Sequence, residues 1–376
     1  METAYSIKAS RIFPMTGKVL ENHWINVAST IIESLSLKPA FDKRLELPEK
    51  TVIIPALVNA HTHLELSQLK VPLDVPMRKM SGWVKTLLAF RRSAEYNAPL
   101  AIQSALQCLQ NNIVSNNTLQ STAALGDIVP PNIEPLPVLP VSLPPSASLC
   151  PCWLAFVEWI GWRKDQIPDG NLKSWQYGVS PHAPQTLCPA LLEKAVRMNV
   201  PVAMHLAETE EELQLLRSGT GPLLEMMRLA DADYEPAQTL LGKRPLDYLQ
   251  LLAQAPKAFI IHGNYLDDEE LRFLAGHRET MSVVYCPRSH HYFRHKQYPL
   301  RKMLDYGVRV LLGTDSAASV PDIDLTNEIR FAAALHRNVP VEALYRSAAL
   351  SGAEAFGLTD CGKIAAGYRA VFGVLY

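Results

Sequence analysis

The chain has 376 residues, of which 48% are hydrophobic and 19% are charged, the composition of a globular protein with a large core. Its 36 basic and 37 acidic residues give a formal net charge of −1 and form no basic block, so we expect no nucleic-acid partner. No apolar stretch reaches the roughly 18 residues that span a bilayer, and residues 1–4 do not begin a signal peptide. The expectation is a cytoplasmic protein that is not bound to a membrane.

The chain opens with short apolar runs separated by polar residues, over residues 1–50, which predicts a small antiparallel β-unit. Between about residues 51 and 355, strand-like runs alternate with helical patterns, as in a parallel sheet with crossover helices. Residues 368–376 form one more strand-like run, which could return to pair with the N-terminal unit.

Residues 129–152 interrupt this alternation because they contain eight prolines, which forbid a regular helix. We expect an irregular excursion over the protein surface. The sequence leaves open whether it covers an active site or replaces a helix.

Four short segments carry residues that would suit one metal site, and each follows an apolar run that predicts a buried strand. They are residues 59–63 after the run 51–58, 204–208 after 200–204, 261–263 after 258–261, and 312–316 after 308–312. Ligands at the carboxyl ends of strands, spread over most of a chain, are typical of a metal-dependent (β/α)8 barrel. We therefore predict an α/β fold with a TIM-type (β/α)8 barrel over residues 51–364. Residues 1–50 and 365–376 would form a small β-sandwich-like subdomain.

The ligand candidates begin with His61 and His63, which are two residues apart, so that on a strand both imidazoles point the same way. Imidazole suits zinc and other first-row divalent metals, although such a pair alone often binds nothing. His205 ends the next predicted ligand strand. His262 could ligate the metal or bond its water, or be an ordinary core histidine. Asp315 could be a ligand and proton acceptor, or simply cap a helix.

Glu208 follows His205 by three residues, where a carboxylate can reach the water of a catalytic metal site. The alternative is an acid at a helix N-terminus, because Glu210, Glu211 and Glu212 cluster there. For those three the helix-start interpretation is preferred. For Glu208 we predict a catalytic role.

Five motifs match a known family. They are Pro-Ala-Leu-Val-Asn-Ala-His-Thr-His at 55–63, Ser-Pro-His at 180–182, His-Leu-Ala-Glu-Thr at 205–209, His-Gly at 262–263 and Gly-Thr-Asp-Ser at 313–316. The chain resembles the amidohydrolase superfamily, in the branch of cytosine deaminases, guanine deaminases and triazine chlorohydrolases. The resemblance implies that His61, His63, His205 and Asp315 hold one divalent metal ion. Glu208 would carry the proton, and His262 would orient the water or polarise the substrate.

The number and kind of metal follow from the same resemblance. Binuclear members of the superfamily carry a carboxylated lysine at the end of the fourth strand, and residues 177–182 contain none, which favours one metal. Zinc is the first expectation, with iron or manganese as alternatives. Barrels of this type are often dimers, so a homodimer is an open expectation.

A narrower likeness links residues 81–84, 217–222, 244–249, 262–266 and 285–290 to the aminodeoxyfutalosine deaminases, which act on a nucleoside precursor of menaquinone. It implies that His182 and Arg288 lie near the substrate, with Glu65 and Trp83 as further candidates. For these last two, an ion-pair member at the barrel mouth and a packed aromatic remain open alternatives.

We predict a hydrolytic deaminase of an aminated purine nucleoside, best 6-amino-6-deoxyfutalosine or a related adenine nucleoside. Residues 116–122 and 367–372 depart from the family pattern, as do Ala317 and Val320 on the substrate rim. These departures bear on the substrate more than on the reaction class. A chlorohydrolase, a cyclic-amide hydrolase and a metal-binding pseudoenzyme scaffold are the alternatives.

Overall fold

The computed structural model describes residues 4–74, 79–103, 105, 123–128, 154–161, 177–230 and 241–375. The predicted excursion at 129–152 and the atypical stretch 116–122 lie outside these residues. The strands are β1 (Ala4–Lys8), β2 (Arg11–Ile12), β3 (Leu20–Glu21), β4 (Trp24–Ala28), β5 (Ile31–Ser36), β6 (Arg44–Glu46), β7 (Val52–Pro55), β8 (Val58–His63), β9 (Ala123–Ile128), β10 (Leu154–Trp159), β11 (Tyr177–Pro181), β12 (Val202–Leu206), β13 (Ala258–His262), β14 (Met281–Tyr285), β15 (Val310–Leu312), β16 (Asp315–Ser316) and β17 (Phe372–Leu375).

The helices alternate with the later strands, as the sequence pattern predicts. They are Met80–Arg91, Pro189–Arg197, Glu210–Ser218, Pro222–Ala230, Pro245–Leu252, Asp268–Gly276, Pro287–Tyr292, Leu300–Tyr306, Leu325–Leu335, Val341–Arg346 and Gly352–Ala355. Within the part of the chain that the structure describes, no helix is both long and apolar enough to cross a membrane.

The central sheet contains β8 to β16, in the order β15-β14-β13-β12-β11-β10-β9-β8-β16, with every neighbouring pair parallel. Its two edge strands, β15 and β16, are separated in the chain only by Gly313 and Thr314. The Gly313 amide donates to the Tyr285 carbonyl on β14 at 3.0 Å, and the Thr314 amide donates to the His61 carbonyl on β8 at 3.0 Å. The two residues between the edge strands therefore form hydrogen bonds with β14, near one edge of the sheet, and with β8, near the other edge.

Gly313 is required at this junction by close approach rather than by its own backbone angles. A Cβ atom there would lie 3.0 Å from backbone atoms of His61. A side chain there would require the backbone of His61 to give by a few tenths of an ångström, so the glycine allows β8 to lie this close to the last strands.

The strands β12, β13 and β14 are buried along their whole length, which explains their near-continuous apolar sequences. Successive residues along these strands face two different hydrophobic cores in turn. Ala258 and Ile260 pack in an outer core with residues of the surrounding helices, whereas Phe259 and Ile261 pack in an inner core with residues of the other central strands. This alternation determines which side chains face the outer core and which face the inner core.

The N-terminal strands β1 to β7, together with the C-terminal strand β17, form two four-stranded sheets, β5-β4-β1-β6 and β17-β7-β2-β3. Both contribute to one hydrophobic cluster, with Ile7 and Ile25 from the first and Ile12, Ile53 and Phe372 from the second. The C-terminal strand β17 pairs antiparallel with β7, so the end of the chain does return to this region.

The single strand expected over residues 51–58 is wrong, because the structure has two strands there. β7 pairs with β2 and β17 in a small sheet, and β8 begins the central sheet. Between them, the Ala56 amide donates to the Val371 carbonyl at 3.0 Å. The partners of β7 are distant in sequence, so the apolar run alone did not reveal the break. The domain division at residue 50 stays a prediction, and the pairing of β7 places residues 52–55 with the small sheets.

Candidate functional site

Three histidines converge at the carboxyl ends of the central strands. His61 and His63 lie on β8 and His205 on β12, and one ring nitrogen of each lies within 4.8 Å of the others. All three are nearly buried, at 2%, 8% and 5% exposure. The Asp315 Oδ1 atom lies 3.7 Å from the Nε2 atoms of both His61 and His63. Four predicted ligands, far apart in sequence, are thus brought together.

The protonation states of these groups fit a divalent cation. The His205 Nδ1 atom lies 3.1 Å from the His182 carbonyl, which can only accept, so Nδ1 carries the proton and Nε2 keeps its lone pair. Burial, and then the neighbouring histidines, hold the pKa of His205 well below its usual value, so the ring is neutral. Burial by itself would raise the pKa of Asp315, but its contacts with the surrounding histidines outweigh burial and lower it, so the carboxylate is ionised. Neutral imidazoles with one carboxylate suit zinc and similar metals.

The Asp315 carboxylate is oriented by two serines. Ser319 Oγ donates to its Oδ2 atom at 3.1 Å, and Ser289 Oγ donates to the same atom. The Oδ1 atom is therefore the one that faces His61 and His63. Sequence reasoning missed both serines, although Ser289 lies in the motif at 285–290.

Glu208 and His262 form the second part of the site. The Glu208 Oε1 atom lies 3.3 Å from the His262 Nε2 atom. Burial, and then the charges of Asp315 and Glu212, raise the pKa of Glu208 well above 4.5. Burial lowers the pKa of His262 to about 3. A carboxyl group with a raised pKa beside a neutral imidazole is suited to exchanging protons near neutral pH.

The backbone that carries Glu208 is held from two sides. The amides of Ala207 and Glu208 donate to the Glu212 carboxylate at 2.8 and 2.9 Å, and Asn264 Nδ2 donates to the Glu208 carbonyl at 2.9 Å. Glu212 also lies in the first turn of the helix Glu210–Ser218, as its helix-start interpretation predicts. Its second role, fixing the loop before the helix, was not visible in the sequence.

His182 and Glu65, both predicted to lie near the substrate, flank the histidines. The ring of His182 lies 4.8 Å from that of His205, and its Nε2 atom lies 3.7 Å from Glu158 Oε1. Glu65 Oε1 lies 3.4 Å from His63 Nδ1 and 3.0 Å from an Arg91 nitrogen. Arg91 and Glu158 were missed because nothing in their local sequence distinguishes them.

Trp83 and Arg288 are placed differently from each other. The Trp83 Nε1 atom donates to the Ala318 carbonyl at 3.1 Å, in the loop that follows Asp315. The Arg288 Nε atom donates to Glu328 at 2.6 Å, and Nη2 donates to Asp322 at 2.8 Å. This guanidinium, 11% exposed, is committed to carboxylates outside the histidine group. A position of Arg288 near the substrate therefore stays a prediction, and the structure shows its guanidinium paired with these two carboxylates.

Comparison with known proteins agrees with this geometry. The model of the amidohydrolase family matches residues 170–375. A 5-methylthioadenosine/S-adenosylhomocysteine deaminase of Pyrococcus furiosus is 37% identical over 346 residues, which are 85% of this chain and 73% of that protein. Three other deaminase relatives are matched over less than half of their own length.

Solved structures show the same fold at low sequence identity. An aminofutalosine deaminase of Helicobacter pylori, in complex with methylthio-coformycin, has a TM-score of 0.77 and 21% identity, covering 98% of this chain and 91% of that chain. A zinc-bound adenosine deaminase of Xanthomonas campestris has a TM-score of 0.70 and 22% identity, covering 99% of this chain and 84% of that chain.

Proposed function

This chain belongs to the amidohydrolase family, and we propose that it is a metal-dependent hydrolytic deaminase of an adenine-type nucleoside. The observation that carries the proposal is the convergence of His61, His63, His205 and Asp315 beside the Glu208–His262 pair. A metal-binding scaffold would have no need of a carboxyl group with a raised pKa next to the ligands.

The finer proposals concern the fold and the substrate. We propose that the central sheet is a (β/α)8 barrel and that the two small sheets form a β-sandwich-like subdomain.

The best substrate is 6-amino-6-deoxyfutalosine or a related adenine nucleoside. Support comes from the relatives, one named for methylthioadenosine and S-adenosylhomocysteine and one for aminofutalosine.

Four residues would hold the metal, and Glu208 and Asp315 would move protons. When bound by His61, His63, His205 and Asp315, one divalent ion lowers the pKa of water towards neutrality. The Glu208 carboxylate accepts a proton from the attacking water and delivers it to the ring nitrogen next to the reacting carbon. As the carbon–oxygen bond forms, the proton that remains on this oxygen passes through Asp315 and Glu208 to the amino nitrogen. The carbon–nitrogen bond then breaks, ammonia leaves, and a ring carbonyl remains. Neutral His262, next to Glu208, holds the attacking oxygen in position.

The substrate would lie against His182, Glu65 and Trp83. His182 and Glu65 offer polar atoms beside the histidines, and Trp83 offers an aromatic face near the loop that follows Asp315. Base stacking on an aromatic ring with polar contacts to one edge is a common way to hold a purine.

The test is ammonia release by the zinc-loaded protein. The panel contains 6-amino-6-deoxyfutalosine, 5′-methylthioadenosine, S-adenosylhomocysteine, adenosine, guanine and cytosine. We expect turnover of one adenine nucleoside well above the rest, and a kcat about 10²- to 10⁴-fold lower in Glu208→Gln. Silence across the panel, with one metal bound per chain, would reject the deaminase and direct the next assay to chlorotriazines and cyclic amides.

A further inference from the structure

The backbone of His262 has an unusual conformation. Its φ angle is +67°, in the left-handed region that a non-glycine residue rarely adopts. Such residues persist only where the surrounding structure holds them. Along β13, Ala258 and Ile260 face the outer core, so regular alternation would turn His262 outwards as well. The left-handed conformation is what places its imidazole beside Glu208.

A hydroxyl from another part of the chain holds this conformation. Tyr298, between the helices Pro287–Tyr292 and Leu300–Tyr306, donates its hydroxyl to the His262 carbonyl at 2.9 Å. The tyrosine is 2% exposed, so water cannot take over the bond. Its ring stacks on that of Tyr285, with centroids 3.8 Å apart and planes 10° apart, which fixes the direction of the hydroxyl.

We propose that Tyr298 is a positioning residue for the reaction, acting through the His262 carbonyl to keep the His262 imidazole against Glu208. The inference rests on the proposed function. His262 is not one of the four expected ligands, and its ring lies 5.4 Å from that of His205. A shift of His262 would therefore disturb proton transfer while leaving the metal in place.

The test compares Tyr298→Phe with Tyr285→Phe. Each substitution removes one buried hydroxyl from the same stacked pair, but the Tyr285 hydroxyl bonds His336, outside the site. We expect kcat of the zinc-loaded Tyr298→Phe enzyme to fall about 10- to 100-fold, since small misplacements of catalytic groups cost this much. Its KM and its metal content should stay within about twofold of wild type. Tyr285→Phe should keep wild-type kcat.

Two results would overturn the proposal. One is a kcat of Tyr298→Phe within twofold of wild type. The other is an equal loss of kcat in both variants, which would assign the effect to packing of the stacked pair.

A crystal structure of Tyr298→Phe separates this proposal from the proposed function, because it needs no substrate. We expect the His262 φ angle to leave the left-handed region, or its Nε2 atom to move away from Glu208. An unchanged His262 would reject positioning by Tyr298 even if the wild-type enzyme is an active deaminase. A wild-type enzyme without deaminase activity, together with a displaced His262, would reject the proposed function alone.

Discussion

Two buried regions of this protein are rich in histidine, and they differ in the partners of those histidines. The first, here the histidine–carboxylate centre, contains His61, His63, His205, His262, Glu208 and Asp315. The second, here the tyrosine–histidine cluster, contains Tyr285, His290, His295, Tyr298 and His336. In the centre, carboxylate oxygens lie 3.3 to 3.7 Å from imidazole nitrogens. In the cluster, His336 bonds the Tyr285 hydroxyl at 3.0 Å.

A lowered pKa does not distinguish the two regions. Burial lowers the pKa of His262 in the centre to about 3, and it lowers the pKa of His290 in the cluster to about 3 as well. What marks the centre is the combination of neutral imidazoles with an ionised carboxylate and a carboxyl group whose pKa is raised. We infer that the centre serves chemistry and the cluster serves stability, with Tyr298 as the contact between them.

The largest expected effect is that of Glu208→Gln in the centre. Loss of general acid–base catalysis should lower kcat about 10²- to 10⁴-fold, whereas metal content should stay at the wild-type level because Glu208 is not a predicted ligand. Steady-state kinetics with metal analysis measures both. Glu225→Gln, an exposed glutamate on the helix Pro222–Ala230, is the matched control and should be fully active. Substantial activity in Glu208→Gln would refute the assigned role.

A smaller effect is expected for Ser289→Ala, which removes one of the two hydroxyls on Asp315 Oδ2. Loss of a group that orients a ligand typically costs about 10- to 100-fold in metal affinity or activity. Competition with a chelator measures the affinity. Ser6→Ala is the control, because Ser6 is also buried but bonds Asn26 in a small sheet. Equal zinc affinity in both variants would show that Ser289 does not support the site.

In the cluster, Tyr285→Phe should change stability and leave catalysis alone. The His336 nitrogen would lose its buried partner, which costs about 1–3 kcal/mol of unfolding free energy. Denaturant unfolding of the metal-loaded protein measures this, alongside kcat. A fall in kcat comparable with that of Glu208→Gln would show that the cluster also serves catalysis, and that the two regions do not differ in this respect.

The last prediction concerns the pH dependence of stability. The pKa of His290 is about 3 in the folded protein against 6.5 for the free group, so the folded state favours the neutral ring. This contribution is present above pH 6.5 and is lost as the pH falls from 6.5 towards 3. The unfolding free energy of His290→Asn should therefore fall less steeply over that range than that of wild type. Parallel curves for the two proteins would contradict the shift.

Much of the centre was predictable because its signals are local. A polar residue directly after a buried apolar run lies at a strand end, and parallel strands bring their carboxyl ends together. His61, His63, His205, Glu208 and Asp315 were found in this way. The groups that support them were not, because Ser319, Glu212 and Tyr298 have common residue types and act only through three-dimensional contacts.

The sequence by itself determined the alternation of strands and helices and the order of the ligand segments, since both follow from apolar periodicity. Only the tertiary structure decided that the run over 51–58 splits between two sheets, because the pairing of β7 with β17 joins opposite ends of the chain. It also decided that Arg288 pairs with Glu328 and Asp322, and that the His262 side chain lies beside Glu208. Those outcomes depend on which of several groups, distant in sequence, each residue contacts in the folded chain. No local sequence pattern determines that choice.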